Sequence, residues 1–466
     1  MSQSDEQVTE IKLAEHIFRA YDIRGIAFED LTENTVKLIG QALGSEALSK
    51  KQKMIVVGRD GRLSGPTLIE SLKEGILQSG CDVTDIGMVP TPVLYYAAQA
   101  TGTGSGVMLT GSHNPKEYNG IKMVIAGETL AADAIQDLLK RIKENNLSEG
   151  KGALHEKNVA WDYINTVLND VKIMRPLKVV VDAGNGVAGA IVPQLLDALG
   201  VEVVKLYCDV DGNFPNHHPD PSQPKNLIEL IDLVKKEKAD VGLAFDGDGD
   251  RLGVVTAEGE IIDPDRQLMF YALSVLENEP NAKILYDVKC TKNLAPFIES
   301  RGGEAIMYKT GHALIKRKMK EINAQLAGEM SGHIFFNDRW FGFDDALYVA
   351  ARLLETLSHQ DESLDDMFKE IPKTVNTPEI ILKIDESKKF ELVDQLQKTA
   401  QSEFQNANVI LIDGVRVEFE NAWGLVRASN TSPCLSLRFE ADTEKDLIEI
   451  QEKFKSWFKQ FELELI

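Results

Sequence analysis

The densest chemistry in the chain is the run DGDGDRLG at 246–253. Asp246, Asp248 and Asp250 alternate with glycines, so the backbone can curl and bring three carboxylates together. Converged carboxylates repel one another unless a cation sits among them. An all-oxygen ligand set suits a hard ion, Mg²⁺ or Ca²⁺. An EF-hand loop does not fit, because its sixth and twelfth positions require Gly and Glu and here hold Arg251 and Ala257. The apolar VGLAF just before the loop reads as a buried strand, which argues against a merely solvated acidic turn.

Three further loops carry reactive or polar groups at close spacing. TGSHNP (110–115) sets Ser112 between Gly111 and His113, with Pro115 fixing the turn. A serine with small neighbours at a strand end can be exposed as a nucleophile. The surrounding pattern is not the GxSxG elbow, so acyl chemistry is disfavoured. GEMSGH (328–333) offers Glu329, Ser331 and His333. The carboxylate and hydroxyl suit neutral sugar hydroxyls, and the imidazole suits proton transfer. RASNTSP (427–433) follows Arg427 with small hydroxyl and amide donors, the chemistry of a phosphate cradle. Each of these alone is an ordinary polar turn; their weight comes from occurring together. Scattered cationic and polar positions complete the set: Arg19, Tyr21 and Arg24 in FRAYDIRG, Lys122 just past Ser112, Lys289 in DVKC and His312 in TGHALIKRK.

The elements that must position these loops recur. MIVVGRDGR (54–62), LKVVVDAGNG (177–186) and AKILYDVKC (282–290) are β-branched runs ending in an Asp-bearing turn. Each is followed by an amphipathic stretch (Leu68 to Leu77, Val192 to Leu199, Leu294 to Ile298), then by a Gly and a second strand. A third apolar run in each copy ends in one of the polar loops: GVMLTGSHNP, VGLAFDGDGD and QLAGEMSGH. Strand–helix–strand at this spacing predicts three similar α/β domains. Ligands of open α/β sheets gather outside the carboxyl ends of strands, so the three loops can meet in one cleft. From about residue 372 the pattern shifts to shorter alternating runs and a terminal helix, which predicts a smaller α+β domain. The boundaries read from the sequence are 1–157, 158–260, 261–371 and 372–466.

Composition narrows the function classes. The 466 residues exceed one ordinary core and are 43% apolar and 27% charged, the balance of a globular protein. A net charge of −22 repels nucleic acid, and it obliges a site for a phosphorylated ligand to gather Lys and Arg locally. No apolar run approaches the ~20 residues that span a bilayer. The N-terminal MSQSDEQVTEIKLAEH is too polar for a secretory signal. Cys81, Cys208, Cys290 and Cys434 stand far apart, as reduced thiols of a cytoplasmic protein would, and do not suggest zinc.

From FRAYDIRG to RASNTSP, the four loops in this order resemble the α-D-phosphohexomutases, specifically the bacterial phosphomannomutase/phosphoglucomutase branch. The resemblance implies four domains around a deep cleft, three sharing one α/β topology and the fourth TATA-binding-protein-like. It implies that Ser112 carries a phosphoryl group and that Asp246, Asp248 and Asp250 hold Mg²⁺ with a phosphoserine oxygen. Glu329 and Ser331 would hold sugar hydroxyls, with Lys289 and His312 nearby. Met330 resembles the dual mannose/glucose branch, where phosphoglucosamine mutases usually carry Gln. Arg427, Ser429, Asn430 and Thr431 would grip the non-reacting phosphate, and Tyr21 and Arg24 would line the entrance. Lys122, Arg251 and His333 are implied for proton handling or charge neutralisation. The expected ligands are hexose phosphates, with hexose 1,6-bisphosphate as intermediate and activator, acting on a monomer without nucleic-acid or membrane partners. Two rivals share these sites: a metal-dependent sugar phosphatase and a catalytically silent sugar-phosphate-binding protein.

Overall fold

The computed structural model describes residues 13–430 and 432–463. Thr431, the polar N-terminal run through residue 12 and residues 464–466 lie outside the described residues. Four sheets follow one another along the chain. In the first, Met54–Arg59 pairs in parallel with both Asp82–Met88 and Gly106–Leu109. Lys178–Asp182 stands in the same relation to Glu202–Leu206 and Val241–Phe245, and Lys283–Asp287 to Glu304–Tyr308 and Leu326–Gly328. In every copy the third strand then turns back into an antiparallel fourth: Tyr118–Ile125, Leu252–Thr256 and Ile334–Phe336. The three chemistry-bearing loops are therefore the same connection, between third and fourth strands, in three domains. The fourth sheet is antiparallel, and its loop 429–433 joins Ala422–Ala428 to Cys434–Ala441.

The helices follow their apolar spacing. Gly65–Gln78 buries Leu68, Ile69, Leu72 and Ile76 along one stripe. Its neighbour Glu33–Ser49 begins at Thr32, whose side chain accepts from the Thr35 N–H at 3.1 Å, and Glu33 suits the positive end of the helix dipole. The two helices touch backbone to backbone. A Cβ on Gly75 would lie 1.9 Å from the Lys37 carbonyl oxygen, and one on Gly40 would lie 2.3 Å from that of Leu72. The first domain also has strands Ile23–Ile26 and Leu154–Glu156, which the threefold sequence repeat does not predict.

One apolar core runs through the first three domains, from Val56 and Met108 through Val181 and Phe245 to Ile284 and Phe336. The fourth domain has its own core around Leu396, Phe439, Phe454 and Trp457. The seam between third and fourth is largely polar, and includes Thr291 donating to Glu440 at 2.5 Å and Arg438 3.7 Å from Asp265. Trp423 and Leu425 meet Val288, and Arg416 donates to the carbonyls of Val288 and Cys290, both at 2.6 Å. All four cysteines are free thiols, and no described helix is long and apolar enough to cross a membrane.

Candidate active site

The hairpin loops of all four domains open onto one cleft of about 500 Å³. Its walls include Ser112 from the first domain, Arg251 from the second, Glu329, Ser331 and His333 from the third, and Arg427, Ser429 and Asn430 from the fourth. Tyr21, Arg24, Lys122, Lys289 and His312 also line it. Five of these side chains are Lys or Arg, which supplies the local positive charge that a molecule of net charge −22 needs in order to hold an anion.

Ser112 sits at a left-handed backbone position (φ 49°), uncommon for a residue with a Cβ, and its Oγ lies 3.1 Å from Asp246 Oδ2. The second-domain loop reaches it closely: a Cβ on Gly247 would come within 2.3 Å of the Ser112 carbonyl oxygen. The three aspartates are fully buried, with carboxylate oxygens within 4.8 Å of one another. Each has one oxygen held by strong hydrogen bonds from the protein. Asp246 Oδ1 accepts three backbone N–H groups (Gly249, Asp250, Arg251), leaving Oδ2 toward Ser112. Asp248 Oδ2 accepts from Thr91 Oγ1 at 2.6 Å and Lys122 Nζ at 2.7 Å, and Asp250 Oδ2 also accepts from Lys122. Asp248 Oδ1 and Asp250 Oδ1 are buried without hydrogen-bond partners. Buried orphan carboxylate oxygens are costly, and three facing oxygens fit a hard cation, so the cluster could hold a metal ion.

Electrostatics divides the triad. Burial, reinforced by Asp250 and Asp248, pushes the Asp246 carboxyl well above the usual range. Burial acts the same way on Asp250, but Lys122 and His333 outweigh it and hold that carboxyl well below normal. Burial disfavours the Lys122 ammonium, yet Asp248 and Asp250 keep its pKa well above the ordinary lysine value. His333 is likewise opposed by burial, but Asp250 and Glu329 raise it to about 9.

In the third-domain loop, Glu329 Oε1 accepts the Gly311 N–H at 2.5 Å, Ser331 Oγ lies 2.9 Å from His333 Nδ1, and His333 Nε2 lies 3.4 Å from Asp250 Oδ1. His312 stacks on His333 with ring centroids 5.4 Å apart. Arg251 Nε is 3.3 Å from His333 Nε2. Arg427 is buried and donates from Nε to Asp413 at 3.0 Å, which aims the rest of its fork into the cleft. Tyr21 donates to the Thr310 carbonyl at 2.9 Å and accepts from Asn430, tying first, third and fourth domains together. Arg24 is held between Asp22 and Asn114, and Lys289 Nζ lies 3.5 Å from Glu379.

Met330 stands apart from the cleft lining. Its side chain packs on the large core and its N–H donates to Asp287 at 3.2 Å, so its placement is structural between two cleft-facing neighbours. Thr91, Asp344, Glu379 and Asp413 were missed by sequence reasoning. Glu379 alone had a visible signal, lying close to the shift in pattern that begins at about residue 372. Asp344, which receives Lys316 at 2.8 Å and lies 3.4 Å from His312 Nδ1, sits in an unremarkable FGFDDAL.

Comparison with known proteins agrees with this architecture. Four successive profiles match: phosphoglucomutase/phosphomannomutase α/β/α domains I (15–149), II (161–259) and III (263–375), and the C-terminal domain (379–456). The chain is 55% identical over 443 residues to a phosphomannomutase/phosphoglucomutase of Pseudomonas aeruginosa, covering 95% of each. It is 52% identical to a phosphoglucomutase of Neisseria meningitidis, covering 95% of this chain and 97% of the relative. A crystal structure of a phosphoglucomutase/phosphomannomutase family protein from Burkholderia thailandensis superposes with a TM-score of 0.92 at 48% identity, covering 96% of this chain and 98% of the other. A four-domain α/β protein with a cationic cleft above an aspartate triad is the class these observations define. The chain belongs to the phosphoglucomutase/phosphomannomutase family.

Proposed function

We propose that this protein is a phosphohexomutase that interconverts hexose 1-phosphates and hexose 6-phosphates of mannose and glucose through a phosphoserine at Ser112. The observation that carries the reading is the convergence of Ser112 Oγ, the aspartate triad and Arg427 from three domains on one cleft. The relatives' names span both sugars, in keeping with a dual preference.

In this reading the phosphoryl passes from Ser112 Oγ to the free hydroxyl of the bound sugar: the P–Oγ bond breaks, a P–O bond to the sugar forms, and the proton given up by the hydroxyl is balanced by one taken up by the departing Ser112 Oγ. The resulting hexose 1,6-bisphosphate turns end for end, and its other phosphate returns to Ser112. Asp246 Oδ2, Asp248 Oδ1 and Asp250 Oδ1 would hold Mg²⁺, which when bound neutralises charge on the transferring oxygens. Lys122 and Arg251 add fixed positive charge in a water-poor setting, where preorganised groups contribute most. Among the residues facing the sugar, His333 is the group suited to exchange a proton, and its Nδ1 is oriented by Ser331 and Glu329. Glu329 and Ser331 hold sugar hydroxyls, with Lys289 and His312 beside them. Arg427, Ser429, Asn430 and Thr431 hold the phosphate that does not react. Tyr21 and Arg24 form the entrance. The separate core of the fourth domain lets its loop loosen while the sugar turns.

A coupled assay on mannose 1-phosphate and glucose 1-phosphate, primed with a trace of glucose 1,6-bisphosphate, tests the reaction. Ser112→Ala is expected to lower turnover by several orders of magnitude with an unchanged melting temperature. Wild-type turnover by that variant, or release of inorganic phosphate in place of the 6-phosphate, would overturn the reading.

A further inference from the structure

Arg62 does not line the cleft; it lies beneath the Ser112 loop with a fully buried side chain. Its guanidinium uses all five N–H groups. Nη1 donates to the carbonyls of Pro115 (2.6 Å) and Tyr118 (2.8 Å), Nη2 to those of Ser112 (2.7 Å) and Asn114 (2.6 Å), and Nε to Asp60 Oδ2 (3.2 Å). Asp60 ties the other side of the loop, accepting from Thr110 Oγ1 at 2.7 Å and the Gly111 N–H at 3.2 Å. One ion pair thus gathers the loop from Thr110 to Tyr118.

The loop needs such a clamp. Four carbonyl oxygens turned to one point repel each other unless a cation holds them, and Ser112 occupies a backbone region that disfavours side chains. Gly111 is shaped to the guanidinium, since a Cβ there would lie 2.3 Å from Arg62 Cζ. Phe214, from the second domain, covers the guanidinium at 5.4 Å.

We propose that Arg62, backed by Asp60, is a positioning residue for the phosphoryl-carrying serine. By fixing the backbone on both sides of Ser112, it keeps Oγ aligned with the aspartate triad and with the sugar hydroxyl. A lysine cannot replace it, because an ammonium has three donors and no planar fork. The inference rests on the phosphoserine reading above.

The test compares Arg62→Lys, Arg62→Ala and Gly111→Ala with wild type in the mutase assay, beside melting curves and a Ser112→Ala control. A displaced nucleophile should lower kcat about 100-fold, while KM for the hexose phosphate stays close to wild type because the sugar- and phosphate-holding walls are untouched. Guanidinium ion should restore a large part of the lost kcat in Arg62→Ala, and sodium chloride at equal ionic strength should not. Gly111→Ala, which keeps the arginine but pushes on it, should give the same kcat-selective loss even if the Arg62 variants fail to fold. Wild-type kcat in Arg62→Lys, or kcat, KM and melting temperature falling together in Gly111→Ala without guanidinium rescue of Arg62→Ala, overturns the positioning role. An inactive Ser112→Ala beside a fully active Arg62→Lys would refute this inference alone, whereas an active Ser112→Ala would refute the phosphoserine reading itself.

Discussion

At the scale of single residues, the cleft assigns different work to groups of the same chemical type. Arg427 is held by Asp413 with its remaining donors toward the cleft, far along the chain from Ser112. Its removal should cost binding more than chemistry. A charge-assisted hydrogen bond contributes about 1.5–3 kcal/mol, so Arg427→Ala should raise KM roughly 10- to 100-fold with a smaller fall in kcat, as steady-state kinetics will read. His217 plays a structural part outside the cleft. Its Nε2 lies 3.0 Å from Asp182 and its Nδ1 3.0 Å from the His218 carbonyl, both acceptors, so only the doubly protonated ring satisfies both. Burial lowers its pKa, but the Asp182 contacts outweigh burial and raise it above the usual value. A histidine raised in the folded state stabilises fully below its unfolded pKa of ~6.5 and loses that contribution as pH rises through the folded value. The melting-temperature gap between wild type and His217→Gln should therefore be wider at pH about 5.5 than at pH about 9; a gap that grows with pH would contradict this.

At the scale of elements, the site is built by repeating one connection. The loops were legible in the sequence because each ends an apolar run with residues that cannot continue a strand: Gly111 and Pro115, the Asp–Gly alternation at 246–250, Gly328 and Gly332. The partners that hold the loops were not. Asp60 and Arg62 are visible in MIVVGRDGR only as a turn, and Thr91 lies at the start of a helix with no motif. Their meaning depends on tertiary contacts to residues far away in sequence, such as Arg62 with Tyr118 and Thr91 with Asp248. The same limit hid the first domain's extra strands, which fall outside the repeat. Helix packing gives a direct test at this scale. Gly75→Ala would force a methyl group against the Lys37 carbonyl in the contact between helices Glu33–Ser49 and Gly65–Gln78. Overpacking typically costs about 1–3 kcal/mol, so chemical denaturation should show a loss of that order despite alanine's better helix propensity.

At the scale of the whole molecule, one apolar core links the first three domains, and the fourth, with a core of its own, meets them through a largely polar seam. That division matches the demands of the proposed reaction, in which a bisphosphorylated sugar would turn without escaping. The first and second domains hold Ser112 Oγ 3.1 Å from Asp246, while the fourth domain meets the first across the cleft through Asn430 and Tyr21. Everything turns on Ser112 as the temporary carrier of the phosphoryl group. The most direct measurement is to incubate the protein and Mg²⁺ with hexose 1,6-bisphosphate carrying ³²P, quench, and map the label by peptide mass spectrometry. The account predicts one phosphoryl on the peptide containing Ser112, which unlabelled hexose 1-phosphate then chases onto sugar. Label on any other residue, or label released from Ser112 only as inorganic phosphate, would contradict it.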